Sequence, residues 1–169
     1  ETPDHVKLFE IKGYLQRLDG MRPLFEQINA VTHFKGMTFH EVKDALAVLD
    51  PDGTGSRGFY IPDSATAKLK EIRSAKKEVE ERLFHAQTDA EKDDLRLKRT
   101  RLCGEEDAEE MHVRKAMGAA LAHMVDDLLS DAETAGRLDF IIQKALFAVR
   151  YGGVKPELTE KDLELEDMI

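Results

Sequence analysis

Over the first fifty positions, apolar residues recur at three- and four-residue intervals, which predicts three short helices. Leu8, Ile11, Leu15 and Leu18 share the first apolar face. Thr2 is placed to cap that helix, with Pro3 at its first position, where a missing N–H costs nothing. Asp19-Gly20 is read as its stop. Met21, Leu24, Phe25, Ile28 and Val31 line one side of a second helix ending near Lys35-Gly36. The third opens on Thr38-Phe39-His40-Glu41, a capping box in which Thr38 and Glu41 each satisfy a free backbone N–H. It turns Val42, Ala45, Leu46 and Leu49 inward and ends at Asp50-Pro51. A turn-rich loop runs to Gly58. Phe59-Tyr60-Ile61 reads as extended, because Pro62 keeps Ile61 out of the helical region.

Beyond Pro62 the pattern lengthens. A helix capped by Asp63 or Ser64 carries Leu69, Ile72, Lys76, Val79, Leu83, Ala86, Ala90 and Leu97 on a heptad-like seam, interrupted at Lys76 and Asp93. It is expected to reach Arg101, with Gly104 as the stop. Another helix starts in the acidic run from Glu105 to Glu110, which suits a positive N-terminal dipole. Its seam is Met117, Leu121, Met124, Leu128, Ala135, Leu138, Ile142, Ala145 and Val149, with Asp131 the one polar member. Gly152-Gly153 ends it, and Pro156 blocks continuation. Gly118 and Gly136 inside this arm each cost roughly 1 kcal/mol against Ala. Close helix approach or a local bend would account for them. The acidic stretch from Thr159 to Ile169 is either a short helix containing Leu163 and Met168 or a linker. The expectation is an all-α chain: a bundle of short helices over 1–62, a long antiparallel hairpin over 63–153, and a linker over 154–169.

Composition agrees with long solvated helices: of the 169 residues, 35% are charged and 7% aromatic, with no Trp. A net charge of −9 argues against a dedicated nucleic-acid binder, since phosphate contacts need clustered cations. One cysteine, Cys103, excludes an internal disulfide framework and fits a reducing cytoplasm. No apolar run approaches the roughly 18 residues of a membrane span. The chain opens on Glu1 without a signal-peptide pattern, which suggests an excised soluble fragment.

The candidate chemistry is sparse. Asp50-Pro51-Asp52-Gly53-Thr54-Gly55-Ser56 has the front half of a calcium loop, but the position that needs a bidentate Glu is Ile61. Glu109 and His112 form one Glu-x-x-His, where a di-iron bundle needs two. His5, His33, His40, His85, His112 and His123 show no paired metal spacing. Cys103 lies beside Arg101 without a nucleophilic constellation. A Gly-x-x-x-x-Gly-Lys-Ser/Thr loop is absent, so this chain is expected neither to bind nor to hydrolyse ATP. Lys92, Arg96, Lys98, Arg99 and Arg101 form the one basic cluster. They read either as charges complementing a helix C-terminus or as a DNA-backbone contact at the hairpin tip.

The stretch from Leu49-Asp50-Pro51-Asp52-Gly53 through Asp63-Ser64-Ala65-Thr66, then Leu69 and Ile72-Arg73, resembles the entry into the first lever helix of the MutS family of DNA mismatch-repair ATPases. Leu138-Asp139-Phe140 with Lys144-Ala145 is similar to that family's returning lever helix. Val154-Lys155-Pro156-Glu157-Leu158 is similar to the segment leading into its ATPase domain. The interval from Arg101 to Glu105 leaves no room for an inserted DNA clamp, so the likeness is to clamp-less relatives. The resemblance implies a non-catalytic core and lever module that couples ATP-driven motion to the core or to DNA. ATP and Mg belong to the parent protein, an ATPase, and none to this fragment. Its partners would be the rest of the parent chain with its ATPase domain, DNA, and a second copy in a parent homodimer, with no membrane. A free-standing helical interaction or adaptor domain is the competing reading. A metal enzyme in a four-helix bundle fails on ligand count.

Overall fold

The computed structural model describes residues 2–56 and 58–153. The readings at Pro156, Val154–Leu158 and Thr159–Ile169 lie outside them. The described residues form an all-α fold of five helices: α1 (His5–Thr32), α2 (Lys43–Leu49), α3 (Ala67–His85), α4 (Asp89–Leu121) and α5 (Val125–Tyr151). Two 3₁₀ turns, Asp63–Ala65 and Ala122–Met124, lead into α3 and α5. The chain divides into two compact units, 1–131 and 132–169.

The two expected amino-terminal helices are one. Asp4 caps α1 by accepting the Lys7 N–H at 2.7 Å, in place of Thr2. Gly20 stays helical and Pro23 lies inside the helix. The stop is His33, whose φ of 52° is left-handed and whose N–H bonds Asn29. Asn29 Oδ1 takes the next N–H, that of Phe34, at 2.7 Å. Leu8, Leu15 and Leu18 are buried as their spacing predicts. Of the second predicted face, only Phe25 is buried, edge-on to Phe39 at 5.0 Å; Leu24, Ile28 and Val31 are exposed.

The capping box at Thr38–Glu41 does not form. α2 begins only at Lys43, with no side-chain cap on Val42. The His40 N–H donates to Asp131 at 3.0 Å. Val42, Ala45 and Leu49 are buried nonetheless.

The long hairpin expected of 63–101 against 105–152 is also redrawn. Thr66, not Asp63 or Ser64, caps α3 by accepting the Leu69 N–H at 3.0 Å. Asp63 and Ser64 are engaged elsewhere, on Arg73 and Asp52. α3 ends at His85 because Ala86 is extended, and Thr88 recaps the chain by accepting the Glu91 N–H. Gly104 has no left-handed φ, so α4 runs through it for 33 residues, about 50 Å at 1.5 Å per residue. Ion pairs set the register: Lys68 meets Glu109, Arg73 meets Glu106 and Glu110, and Glu80 meets Arg99. Rising numbers on α3 face falling numbers on α4, so these two helices run antiparallel. Leu69, Ile72 and Val79 of α3 and Leu95, Val113 and Met117 of α4 are buried.

The seam of the second arm is buried at Met117, Leu121, Asp131 and Leu138. Beyond that, Ile142 and Val149 are exposed, as are Phe140, Leu146, Phe147 and Tyr151 on the other faces of α5. Gly118 does mark a close approach, but to Pro3. A Cβ there would lie 2.8 Å from Pro3 Cδ, whereas one at Gly136 would meet nothing within 4 Å.

Urea denaturation followed by far-ultraviolet circular dichroism checks this packing. Leu69→Ala is expected to cost about 2–5 kcal/mol through lost burial and a residual cavity. Gly136→Ala is expected to gain up to about 1 kcal/mol from helix propensity. Gly118→Ala should show no such gain, because Pro3 must move.

Candidate functional site

The chemistry of the chain concentrates where α3 enters its contact with α4. Ile61 is buried, and the extended Pro62 and the 3₁₀ turn after it carry the Tyr60–Asp63 stretch across the start of α3. Arg73, two turns into α3, then reaches two parts of the chain. Its Nε donates to Glu106 Oε1 at 2.9 Å and its Nη2 to Glu110 Oε1 at 2.8 Å, both on α4. Its Nη1 donates to the Tyr60 hydroxyl at 2.7 Å, the Ile61 carbonyl at 2.8 Å and Asp63 Oδ1 at 2.5 Å. The guanidinium also stacks over the Tyr60 ring, 4.9 Å from its centroid.

Neighbouring groups extend the joint. Lys76 pairs with Glu106 Oε2. The Thr66 hydroxyl donates to Glu109 Oε1 at 2.9 Å, and Lys68 pairs with Glu109 Oε2 at the same distance. His5 Nε2 lies 3.3 Å from Glu110 Oε2, and its ring tilts against Phe59 at 6.0 Å, so α1 joins as well. The charge-assisted bonds decide the titration. Arg73 beside Asp63 holds that carboxyl below its usual range. Burial pushes Glu106 upward, but the bonds from Lys76 and Arg73 outweigh it and leave the carboxyl lowered. Glu109 is lowered by Lys68 and Thr66.

The acidic run that reads as a helix start in the sequence is therefore the partner surface of Arg73 and Lys76. The clue was present: a run of carboxylates in one segment and an Ile72-Arg73 pair on an apolar stripe in another. Tyr60 carried no separate signal.

The five basic candidates lie along the first half of α4 rather than at a hairpin tip. At 3.6 residues per turn, Lys92, Arg96 and Arg99 fall within about 60° of one another. Lys98 sits about 120° away from them and Arg101 on the opposite side. Lys92 is 4.0 Å from Asp89, Arg96 is 3.1 Å from Asp93, Arg99 is 2.8 Å from Glu80 and Arg101 is 3.0 Å from Glu105. The cluster of the sequence is thus three residues on one face and two off it, with carboxylates beside four of the five.

The Asp50 loop closes on itself. Asp50 Oδ1 accepts the Thr54 N–H at 3.1 Å and its hydroxyl at 2.9 Å, and Oδ2 accepts the Gly55 N–H at 2.8 Å. Lys12, 3% exposed, lies 3.4 Å from Asp50 Oδ2 and donates to the Gly58 carbonyl at 3.2 Å. Among the described residues, no group of three or more His, Cys, Asp or Glu is arranged to hold a metal ion. None of the described helices is long and apolar enough to cross a membrane. No family model matches the chain, and neither a curated protein nor a solved structure matches it.

Arg73→Ala strands three carboxylates against one another and is expected to cost about 3 kcal/mol or more in urea denaturation. Arg73→Lys keeps the charge but loses the planar fork and recovers only part of that loss. Because Asp63, Glu106 and Glu109 titrate low in the fold, their stabilisation is present above the ordinary carboxylate range. It is lost as pH falls through about 4 and below. The urea midpoint should therefore drop on acidification, and drop less in Glu106→Gln.

Proposed function

We propose that this chain is the non-catalytic core and lever module of a MutS-like DNA-repair ATPase, coupling ATP-driven motion to the core or to DNA. The observation that carries the reading is the role of the residues behind the resemblance. Asp63, Thr66, Leu69, Ile72 and Arg73 are the ones that tie the loop, α3 and α4 into one joint. A part that transmits displacement must not slip, and packed interiors shift in discrete steps rather than deforming continuously.

The carboxyl half of α5 supports the same reading. Leu138-Asp139-Phe140 and Lys144-Ala145 lie on a stretch whose polar side is a narrow strip of Asp139, Gln143 and Arg150, with Lys144 apart from it; the rest is apolar, yet Phe140, Phe147 and Val149 are exposed. A wide apolar face on a helix is a face made for burial. The ATPase-bearing remainder of the parent chain is the cover this reading assigns to it. The parent supplies ATP and Mg, acts in the cytoplasm and pairs as a homodimer. Any DNA contact by this module falls to the Lys92, Arg96 and Arg99 face. The same exposed apolar stretch favours the adaptor as the second reading, with a separate helical protein as the cover.

The gene and its full-length product test the choice. A reading frame that continues past Ile169 into Gly-x-x-x-x-Gly-Lys-Ser/Thr is expected. In that product, Arg73→Ala should keep nucleotide binding while DNA-stimulated turnover falls about 5-fold or more, the size of a typical coupling free energy. A stop codon after Ile169, or turnover unchanged by the substitution, overturns the lever. Duplex and branched DNA titrated at low salt should bind more weakly to the Lys92→Ala, Arg96→Ala, Arg99→Ala triple variant. Equal binding removes the DNA contact.

A further inference from the structure

Asp131 is the one polar member of an apolar seam, and it is 0% exposed. Burying a carboxylate is costly unless hydrogen bonds and a counter-charge meet it. Its Oδ1 accepts two hydrogen bonds, both from His40: the backbone N–H at 3.0 Å and ring Nδ1 at 2.8 Å. Its Oδ2 has no hydrogen-bond partner. The other ring nitrogen, Nε2, lies 3.6 Å from Asp127 Oδ1, one turn earlier on α5.

The surroundings set the proton's energetics. From α1, Tyr14 donates its hydroxyl to the Leu128 carbonyl at 3.0 Å, and burial and the Asp131 charge both raise its pKa. Beside His40 in the chain, Glu41 is 3.3 Å from Lys43 and 3.9 Å from Arg22 of α1. The groups that face the imidazole itself are thus the two carboxylates of α5. Residues 33–42 have neither helix nor strand of their own. They are held by the buried side chains of Met37, Phe39 and Val42 and by this contact.

We propose that His40, Asp131 and Asp127 form a proton-controlled latch that fastens the 33–42 segment to the start of α5. With the proton on, the imidazolium donates Nδ1–H to Asp131, turns Nε2–H toward Asp127 and neutralises the buried charge. With the proton off, the neutral ring keeps one N–H and the counter-charge is gone, so the segment is held by its apolar contacts and by hydrogen bonds from a neutral His40, the backbone N–H among them. The hydrogen bond to Asp131 raises the His40 pKa, burial opposes it, and the charges of Asp131 and Asp127 add to the rise. A raised histidine stabilises fully below its unfolded value of about 6.5, and that contribution is lost as pH climbs through the elevated folded value.

Nuclear magnetic resonance on the intact chain tests the latch. The His40 Cε1–Hε1 signal is titrated in the wild type, Asp131→Asn and Asp127→Asn, and amide exchange at His40 is followed across the same pH range. The wild-type midpoint should lie above about 6.5. It should fall in Asp127→Asn and fall further in Asp131→Asn. Latch opening, read from amide exchange corrected for its intrinsic pH dependence, should rise as pH climbs from about 6.5 through the midpoint and level off above it, by about tenfold per pKa unit of elevation. His40→Gln should abolish that pH dependence. Should Asp131→Asn fail to fold, Asp127→Asn decides alone, because that side chain is 53% exposed. A wild-type midpoint at or below the ordinary value, or one that neither substitution moves, overturns the proposal.

Discussion

A guanidinium carries five N–H donors in one plane; at Arg73, Nε and Nη2 each donate to one carboxylate of α4, and the two N–H groups of Nη1 are shared among three oxygens of residues 60–63. Three of the five accepting oxygens belong to carboxylates that would otherwise repel one another across a partly buried seam. Their mutual approach depends on the cation between them. Lysine could supply the charge but not a fork spanning the 60–63 stretch and a neighbouring helix at once.

That constraint propagates along the chain. Arg73 reaches Glu106 and Glu110 while Glu80, about two turns further along α3, reaches Arg99, so both sides of Gly104 lie on one continuous α4 instead of turning. The reversal then falls earlier, at Ala86 and Thr88, where the chain leaves helix and is recapped. Apolar residues fill the interval between the ion pairs, with Leu69, Ile72 and Val79 closing against the α4 side. Most of the free energy comes from that burial; the ion pairs select the register in which it happens.

The sequence made some of this legible and hid the rest for identifiable reasons. Helical periodicity found the fold class, the buried Leu8, Leu15 and Leu18 of α1 and the buried Leu69, Ile72 and Val79 of α3, because spacing alone determines which side chains share a face; it did not show that Leu24, Ile28 and Val31 stay exposed. The reversal was misplaced because Gly104 was weighed as a stop. Thr88-Asp89-Ala90-Glu91 has the Thr and Glu spacing of a helix start and went unused. The box at Thr38–Glu41 did not form although its local signal was sound: the segment is held by contacts that local pattern does not show, His40 on Asp131, 91 residues away, and the buried Met37 and Phe39. The partners of Arg73 were readable only as charge runs, since pairing across more than thirty residues leaves no trace in local pattern. The polar member of the seam was visible; its partner was not.

The most direct measurement is a double-mutant cycle between Arg73 and Glu106, using Arg73→Ala, Glu106→Ala and the pair in urea denaturation. A shared, partly buried network predicts a coupling energy of about 1 kcal/mol or more, with the double variant less damaged than the sum of the singles. Additivity within about 0.3–0.5 kcal/mol would mean that the two residues act independently, contradicting the joint on which this account of the fold and of its function rests.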